Sequence, residues 1–135
     1  MQFHQGRLID HLHLRVRDLE KSRKFYKAAL GALGRNLTHE GEGFFVSDEL
    51  FVDAADDYVS KVHLAFQTTG PEMVKAFYNA ALAAGGTDNG APGERNYHPG
   101  YYACFILDPD GNNIEAVWHG PHERSADSVV LTTPG

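Results

Sequence analysis

The chain has 135 residues and a mass of 14.9 kDa, which suits one compact domain. Hydrophobic residues make up 42% of it and aromatic residues 11%, enough to bury a core and to argue against disorder. Twelve Lys and Arg stand against eighteen Asp and Glu, a net charge of -6, so the surface offers little that neutralises phosphates. We therefore expect no nucleic-acid partner.

The chain also lacks the marks of a membrane or exported protein. No apolar run approaches the roughly 20 residues that span a bilayer, and the opening MQFHQGRLID has neither the basic start nor the apolar stretch of a signal peptide. The single cysteine, Cys104, excludes an intrachain disulfide and a zinc site built from several cysteines. These features predict a cytoplasmic protein without a membrane partner.

An internal repeat organises the sequence. A shift of 52 positions, from 11 to 63, places His11-Leu12 on His63-Leu64 and Phe25-Tyr26 on Phe77-Tyr78. Over the 24 pairs from 11/63 to 34/86, 10 are identical without a gap. Two unrelated helices of similar composition would not share so many identities, so the sequence predicts two copies of one structural unit.

The first unit begins with a strand and a helix. Residues 8–16 alternate with a period of two, which indicates a strand, and His11 and His13 lie on its more polar face. Asp18 is a suitable N-cap for a helix over about 19–33, whose apolar residues recur at helical spacing.

The second unit repeats that pattern. Residues 59–67 alternate in the same way and place His63 on the more polar face. Pro71 suits the first turn of a helix over about 71–84, which Gly85 and Gly86 end.

Each unit then closes with a hairpin. Residues 42–54 predict short strands about a Ser-Asp-Glu turn, and residues 101–118 predict a hairpin whose turn is DPDG at 108–111. The segment 87–100 is rich in Gly and Pro and is predicted to be a loop, while the VVL at 129–131 can add an edge strand. The pattern favours an α+β domain in which the non-helix faces of two small sheets line a shared cup.

Three side chains are candidates for a metal site. His11 and His63 are equivalent in the two units, so an approximate two-fold axis would bring them to opposite sides of one site. Glu115 lies in the middle of the last strand, IEAVW, where a buried carboxylate is costly unless it is paired or bound to a metal. Two imidazoles and one carboxylate hold a divalent ion and leave coordination positions open. The alternative is that each histidine is a hydrogen-bonded structural residue of its strand.

Three motifs resemble a known family. IDHLHLRVRDLEKS at 9–22, followed by Phe25-Tyr26, resembles the first strand and helix of the vicinal oxygen chelate superfamily. VHLAF at 62–66 resembles the first strand of its second module, and DPDGNNIE at 108–115 resembles its closing hairpin. The superfamily includes glyoxalase I, extradiol dioxygenases, fosfomycin-resistance thiol transferases and bleomycin-binding proteins.

The resemblance implies two tandem βαβββ modules that form a cupped mixed sheet. The modules are expected at about 1–56 and 57–120, followed by a tail at 121–135. The resemblance assigns His11, His63 and Glu115 as ligands of a divalent ion such as Zn, Ni, Mn or Fe, the same set that the repeat indicates. It also implies a homodimer that binds a small-molecule substrate in a site built from both modules, often across the subunit interface.

The members of the superfamily differ in ways that leave the reaction open. Glyoxalase I enzymes use a fourth ligand, a carboxylate from the end of the first module, where Glu49 and Asp53 lie here outside any recognisable motif. Ring-cleaving dioxygenases share the two-His-one-Glu set but are typically about twice this length. Fosfomycin transferases match in length and ligands but differ in the loop before the closing hairpin. Bleomycin binders usually lack the three ligands.

Other residues are candidates for the pocket wall. His13 lies on the same strand face as His11. It is a candidate acid, base or substrate contact, and the alternative is a histidine at the surface or rim of the pocket. Tyr97, His98 and Tyr101 flank the loop before the closing hairpin, where a lid or substrate wall is expected. Arg95 in that loop either clamps an anionic substrate with its planar fork or is a solvated side chain. We assign catalytic roles to Glu115, His13 and Tyr101 and substrate binding to Arg95, Tyr97 and His98.

These inferences favour a metal-dependent glyoxalase-like enzyme, a lyase, isomerase or transferase in which the ion is a Lewis acid toward a small oxygenated substrate. The alternative is a non-catalytic module that binds a small molecule or antibiotic in the same cup. The intact set of three ligands favours the enzyme, because a binding module does not need it.

Overall fold

A computed structural model describes residues 2–5, 7–125 and 128–132. Its elements in chain order are β1 (Gln2–Gln5), β2 (Leu12–Val16), α1 (Leu19–Ala32), β3 (His39–Glu40), β4 (Phe44–Ser47), β5 (Leu50–Ala54), β6 (His63–Gln67), α2 (Pro71–Ala83), β7 (Thr87–Glu94), β8 (Tyr102–Leu107), β9 (Asn113–Trp118) and β10 (Val129–Thr132). They form two four-stranded sheets and one two-stranded ribbon. Neither of the helices in the described ranges is long and apolar enough to cross a membrane.

Both helices begin as the sequence predicts. The side chain of Asp18 accepts a hydrogen bond of 3.1 Å from the backbone N–H of Lys21, which satisfies a donor that the first turn leaves free. Pro71 is the first residue of α2, where its missing N–H removes no helical hydrogen bond. The predicted bounds of α1 and α2 are confirmed to within about one residue.

The two sheets repeat each other strand for strand. Their strand orders are β2-β5-β4-β3 and β6-β9-β8-β7. In each module the first strand pairs in parallel with the last, which places His13 opposite Phe51 and Ala65 opposite Glu115. The remaining pairs within these sheets are antiparallel, so both sheets are mixed. The predicted α+β fold of two βαβββ modules is confirmed.

The predicted loop over 87–100 is wrong for most of its length. Residues 87–94 form β7, the edge strand of the second sheet, and only the segment 95–100 connects it to β8. The Gly and Pro residues indicate a loop in the sequence, yet β7 accommodates them through two register shifts against β8. Gly90 has a φ of 152°, a conformation that a bulge at a sheet edge demands and that favours glycine.

The ends of the chain also differ from the prediction. The first strands of the modules are shorter than expected, because residues 8–11 and 59–62 lie outside β2 and β6. Leu8 and Ile9, which continue the alternating pattern, are exposed. The tail does supply a strand, but β10 pairs antiparallel with β1 in a separate ribbon and does not extend either module sheet.

One hydrophobic core joins the two modules. Helices α1 and α2 contact each other, and the core includes buried side chains from both helices and from the helix-covered faces of both sheets. Its largest members include Phe25, Tyr26, Phe45, Phe77, Leu14, Ile106 and Ile114. The opposite faces of the two sheets therefore lie outside this core.

Candidate functional site

The second module brings His63 and Glu115 into direct contact. Both side chains leave the sheet on the face opposite Phe66, which packs against Phe77 of α2. Nε2 of His63 lies 2.7 Å from Oε1 of Glu115. The Glu115 side chain is 2% exposed and the His63 side chain 55%. A buried carboxylate therefore contacts an imidazole that is open to solvent.

Tyr101 holds the other oxygen of this carboxylate. Its hydroxyl donates a hydrogen bond to Oε2 of Glu115. Burial, followed by this hydrogen bond, raises the pKa of Tyr101, so the phenol stays protonated and remains a donor. Both oxygens of Glu115 thus have partners, as a carboxylate in the middle of a strand requires.

The hairpin that presents Glu115 is fixed by a buried turn. Oδ2 of Asp108 accepts a hydrogen bond of 2.5 Å from the Tyr26 hydroxyl and one of 3.0 Å from the Asn112 amide, while Oδ1 accepts one of 2.8 Å from the Asn112 backbone N–H. Tyr26 belongs to α1, so the first module anchors the turn of the second. This network sets where β9 begins and hence where Glu115 lies.

His11 lies on the other module. It precedes β2, its side chain is 64% exposed, and its Nδ1 lies 2.7 Å from Oδ1 of the adjacent Asp10. Across the described parts of the chain, no three His, Cys, Asp or Glu side chains group so that they could hold a metal ion. One chain therefore brings together two of the three predicted ligands, His63 and Glu115, and keeps His11 apart from them.

The register of the sheets bears on the question of a fourth ligand. By the repeat, His13 is equivalent to Ala65, and the strand partners of these two residues are Phe51 and Glu115. Phe51 is thus the first-module counterpart of Glu115. Asp53 lies two residues beyond that position and contacts His13, with 2.7 Å between Oδ1 and Nε2. Glu49, the other candidate, lies two residues before it and is exposed.

A cavity of about 610 Å³ lies over the non-helix face of the first module. Phe44 and Phe51 stack in its wall with 5.9 Å between ring centroids and 11° between ring planes, and His13 meets Phe51 edge-on at 5.1 Å. Its lining residues are His11, His13, His39, Phe44, Val46, Asp48 and Phe51. The aromatic pair is a site feature that sequence analysis missed, although alternation along β4 and β5 places both rings on this face.

The predicted wall residues gather around Tyr101. Tyr97 packs edge-on against Tyr101 at 4.9 Å, and His98 does so at 5.3 Å. Nε2 of His98 lies 2.9 Å from Nδ1 of His119, and the two imidazoles stack. Arg95 lies over the ring of Phe105, whose strand partner is Glu115. Phe105 was not predicted as a site residue. The turn at 108–111 sets the register of the hairpin, and that register pairs Phe105 with Glu115.

Comparison with known proteins gives consistent results. The sequence model of the Glyoxalase/Bleomycin resistance protein/Dioxygenase superfamily matches residues 8–116. The crystal structure of a glyoxalase/bleomycin resistance protein from Albidiferax ferrireducens T118 is similar, with 32% identity, a TM-score of 0.66, and coverage of 79% of this chain and 94% of that one. A glyoxalase-related enzyme from Fulvimarina pelagi shares the fold at 19% identity, with a TM-score of 0.69 and coverage of 94% and 99%.

Proposed function

The chain belongs to the glyoxalase/bleomycin resistance protein/dioxygenase superfamily, and from this premise we propose that it is a metal-dependent glyoxalase-like enzyme for a small oxygenated substrate. The observation that carries the proposal is the contact of His63 with the buried Glu115. An imidazole nitrogen and a carboxylate oxygen on one sheet face are ligands that Zn, Mn, Ni and Fe accept. The donor set therefore fits such an ion, with one further ligand to be supplied.

We assign that third ligand to His11 of a second protomer. His11 is equivalent to His63 by the repeat but lies on the other module, whose non-helix face is left outside the core. A homodimer with two-fold symmetry can pair the first module of one protomer with the second module of its partner. Such a dimer covers both faces and forms two identical sites, each with His11 from one protomer and His63 and Glu115 from the other.

The register favours three protein ligands and no fourth. Phe51 lies at the position equivalent to Glu115, and Asp53 is engaged by His13 and lies 3.8 Å from Nε of Arg15. When bound, a divalent ion would supply Lewis acidity toward substrate oxygens, and three protein ligands leave coordination positions for them. Two His and one Glu are also the ligand set of the ring-cleaving dioxygenases and fosfomycin transferases that the sequence resembles.

The remaining residues act on the ligands and the substrate. Tyr101 holds Oε2 of Glu115 and so keeps Oε1 turned toward His63. Asp53 fixes the ring of His13, which lines the cavity and is placed for proton transfer to or from a substrate there. The stacked rings of Phe44 and Phe51 exclude water from one wall of that cavity.

A second candidate function is a module that binds a small molecule without catalysis. The aromatic cavity of about 610 Å³ favours it, because stacked rings bind planar ligands without any metal. The partners of Glu115 also satisfy its carboxylate in the absence of an ion.

Mixing two defective variants tests the proposed enzyme and its shared site. His11→Ala and Glu115→Gln each remove one ligand, so each homodimer should bind metal far more weakly than the wild type. Co-expression with different tags yields the heterodimer, in which one site combines the intact His11 with the intact His63 and Glu115. We expect that heterodimer to bind one zinc ion per dimer by mass spectrometry of metals.

Three outcomes separate the alternatives. Recovery of one ion per heterodimer supports the shared site. A wild type that binds metal while the heterodimer recovers none means that the ligands come from one chain. A wild type that binds none of the four candidate metals contradicts the enzyme and leaves the binding module.

A further inference from the structure

We propose that Arg95 binds an oxyanion of the substrate, a carboxylate or a phosphonate, beside His63 and Glu115. The substrate class is then a small anionic molecule. The inference rests on the proposed function for the location of the site, but it concerns a contact that the protein itself makes, with or without a bound metal.

Arg95 lies on the same sheet face as the two ligands. Its guanidinium carbon is 5.3 Å from the ring centroid of Phe105. Phe105 is the strand partner of Glu115, and its ring centroid is 6.1 Å from that of His63. The cation and the imidazole of the His–Glu pair are therefore neighbours of the same aromatic ring, and we infer that one small molecule on this face can contact both.

Backbone carbonyl groups hold the guanidinium of Arg95 in place. Its Nη2 donates a hydrogen bond of 2.8 Å to the carbonyl of Ala91, and its Nη1 donates one of 3.2 Å to the carbonyl of Glu94. A Cβ atom on Gly90 would lie 3.2 Å from Nη2, and one on Gly93 would lie 3.2 Å from Nη1. The two glycines of β7 thus keep open the space that the guanidinium occupies.

Arg95 differs from four of the six other arginines in its charge partners. Arg15, Arg17, Arg23 and Arg35 each lie within 4.0 Å of a carboxylate oxygen. Among the described side chains, none forms an ion pair with Arg95, in a protein whose net charge is -6. Two of its five N–H donors are used by carbonyls.

This arrangement explains why an anion is the expected ligand. The remaining donors suit the fork-like contact that guanidinium makes with a carboxylate or phosphonate. In the metal-free protein, an anion beside His63 would meet the negative charge of Glu115 at close range. The positive charge of Arg95 would offset that repulsion.

Methylphosphonate and acetate, added to metal-free protein, are suitable probes. The readout is the Nε–Hε resonance of Arg95 together with the backbone resonances of β7 and β8. We expect both anions to shift these resonances saturably, and Arg95→Ala to weaken binding by about tenfold or more. Arg17→Ala, which removes an exposed arginine elsewhere, should leave the affinity unchanged.

A second pair of variants keeps the Arg95 side chain, and one of the two displaces its guanidinium. Gly93→Ala adds a methyl group against Nη1 without backbone strain, since Gly93 does not have a positive φ, and should weaken anion binding. Gly43→Ala, where an added Cβ meets nothing within 4 Å, is its control. Equal affinity in the wild type and Arg95→Ala, or no shift in the wild type, would overturn the proposal.

The metal affinity of the same variants separates this inference from the proposed function. Arg95→Ala should bind zinc as the wild type does, because Arg95 is not a ligand. If zinc and anion binding are lost together, the substitution has distorted the face and the proposal for Arg95 is overturned. If the wild type binds the anion through Arg95 but binds no metal, the enzyme proposal fails while the anion site stands.

Discussion

His13 contacts Asp53 across the parallel strands β2 and β5, with 2.7 Å between Nε2 and Oδ1. His63 and Glu115 have the same relationship, since in both pairs the carboxylate lies opposite the residue two positions after the histidine. The two pairs are nonetheless not equivalent by the repeat, because the first is shifted by two residues along its strands. The first module thus carries a His–carboxylate pair that is separate from the proposed metal ligands.

Asp53→Asn is expected to show that the two His–carboxylate pairs have different roles. The change removes the carboxylate that orients His13 but no proposed ligand, so metal content should stay that of the wild type while turnover of a cognate substrate falls. Glu115→Gln, the matched change in the other pair, should lower metal content itself. Metal analysis of the two purified variants checks this, and loss of metal from Asp53→Asn would make Asp53 a ligand.

Tyr101→Phe tests the support of the carboxylate. The change removes the hydroxyl that donates to Oε2 of Glu115 and leaves the ring in place. Changes to residues that support a ligand typically cost about 10–100-fold in metal affinity, and we expect a loss in that range. Tyr97→Phe is the control, because Tyr97 is 68% exposed and contacts Tyr101 only through its ring. Competition with a zinc-binding dye measures both, and equal affinities would show that Tyr101 does not support the site.

Two glycine substitutions should have opposite effects on stability. A Cβ at Gly86 would lie 2.6 Å from Cγ2 of Ile106 and 2.7 Å from the ring of Phe25, in the packed core. Gly86→Ala should therefore lower the free energy of unfolding by about 1–3 kcal/mol. Gly31→Ala, in the exposed part of α1 where nothing lies within 4 Å, should raise it by about 0.5–1 kcal/mol. Urea unfolding of both variants tests whether the two changes in the free energy of unfolding have opposite signs.

Stability should fall in alkaline solution. Burial raises the pKa of the Cys104 thiol to about 11, and burial followed by the charge of Asp108 raises the pKa of Tyr26. The folded protein therefore keeps protons that the unfolded chain releases. The contribution of these two groups to the free energy of unfolding should be constant below the ordinary thiol pKa of 9.0, and the free energy of unfolding should decline as the pH rises from there toward 11. Urea unfolding across this range measures the slope, which Cys104→Ala should make shallower.

Light scattering gives a direct measure of the proposed dimer. We expect twice the 14.9 kDa of the chain at micromolar concentration, because the proposed dimer would cover the two non-helix faces and their exposed histidines. Phe51→Asp would place a charge on the face that the dimer covers and should shift the equilibrium toward monomer. A wild type that is monomeric throughout contradicts the shared site.

The repeat made much of the fold predictable. His11 and His63, Phe25 and Phe77 recur at a fixed spacing, and that spacing carries the paired strand order of the two modules. Local chemistry also predicted the Asp18 cap and the Asp108 turn, because each acts on backbone groups within a few residues.

What could not be predicted depends on contacts between distant segments. Gly90 and Gly93 look like loop residues until the register of β7 against β8 shows that they make room for Arg95. The position of His11 relative to His63 follows from how the helices of the two modules pack together, and the period of a strand says nothing about that packing. The equivalence of Phe51 and Glu115 likewise requires the pairing of the strands.

The ribbon of β1 and β10 should allow the order of the two modules along the chain to be exchanged. Gln2 and Thr132 are partners across this antiparallel pair, so these two points of the chain are close neighbours. Joining them with a short linker and opening the chain between residues 56 and 57, an exposed bend between the modules, would give a circularly permuted protein that starts with the second module. Every strand pairing within each module would be kept, and the permuted chain should fold to the same two sheets.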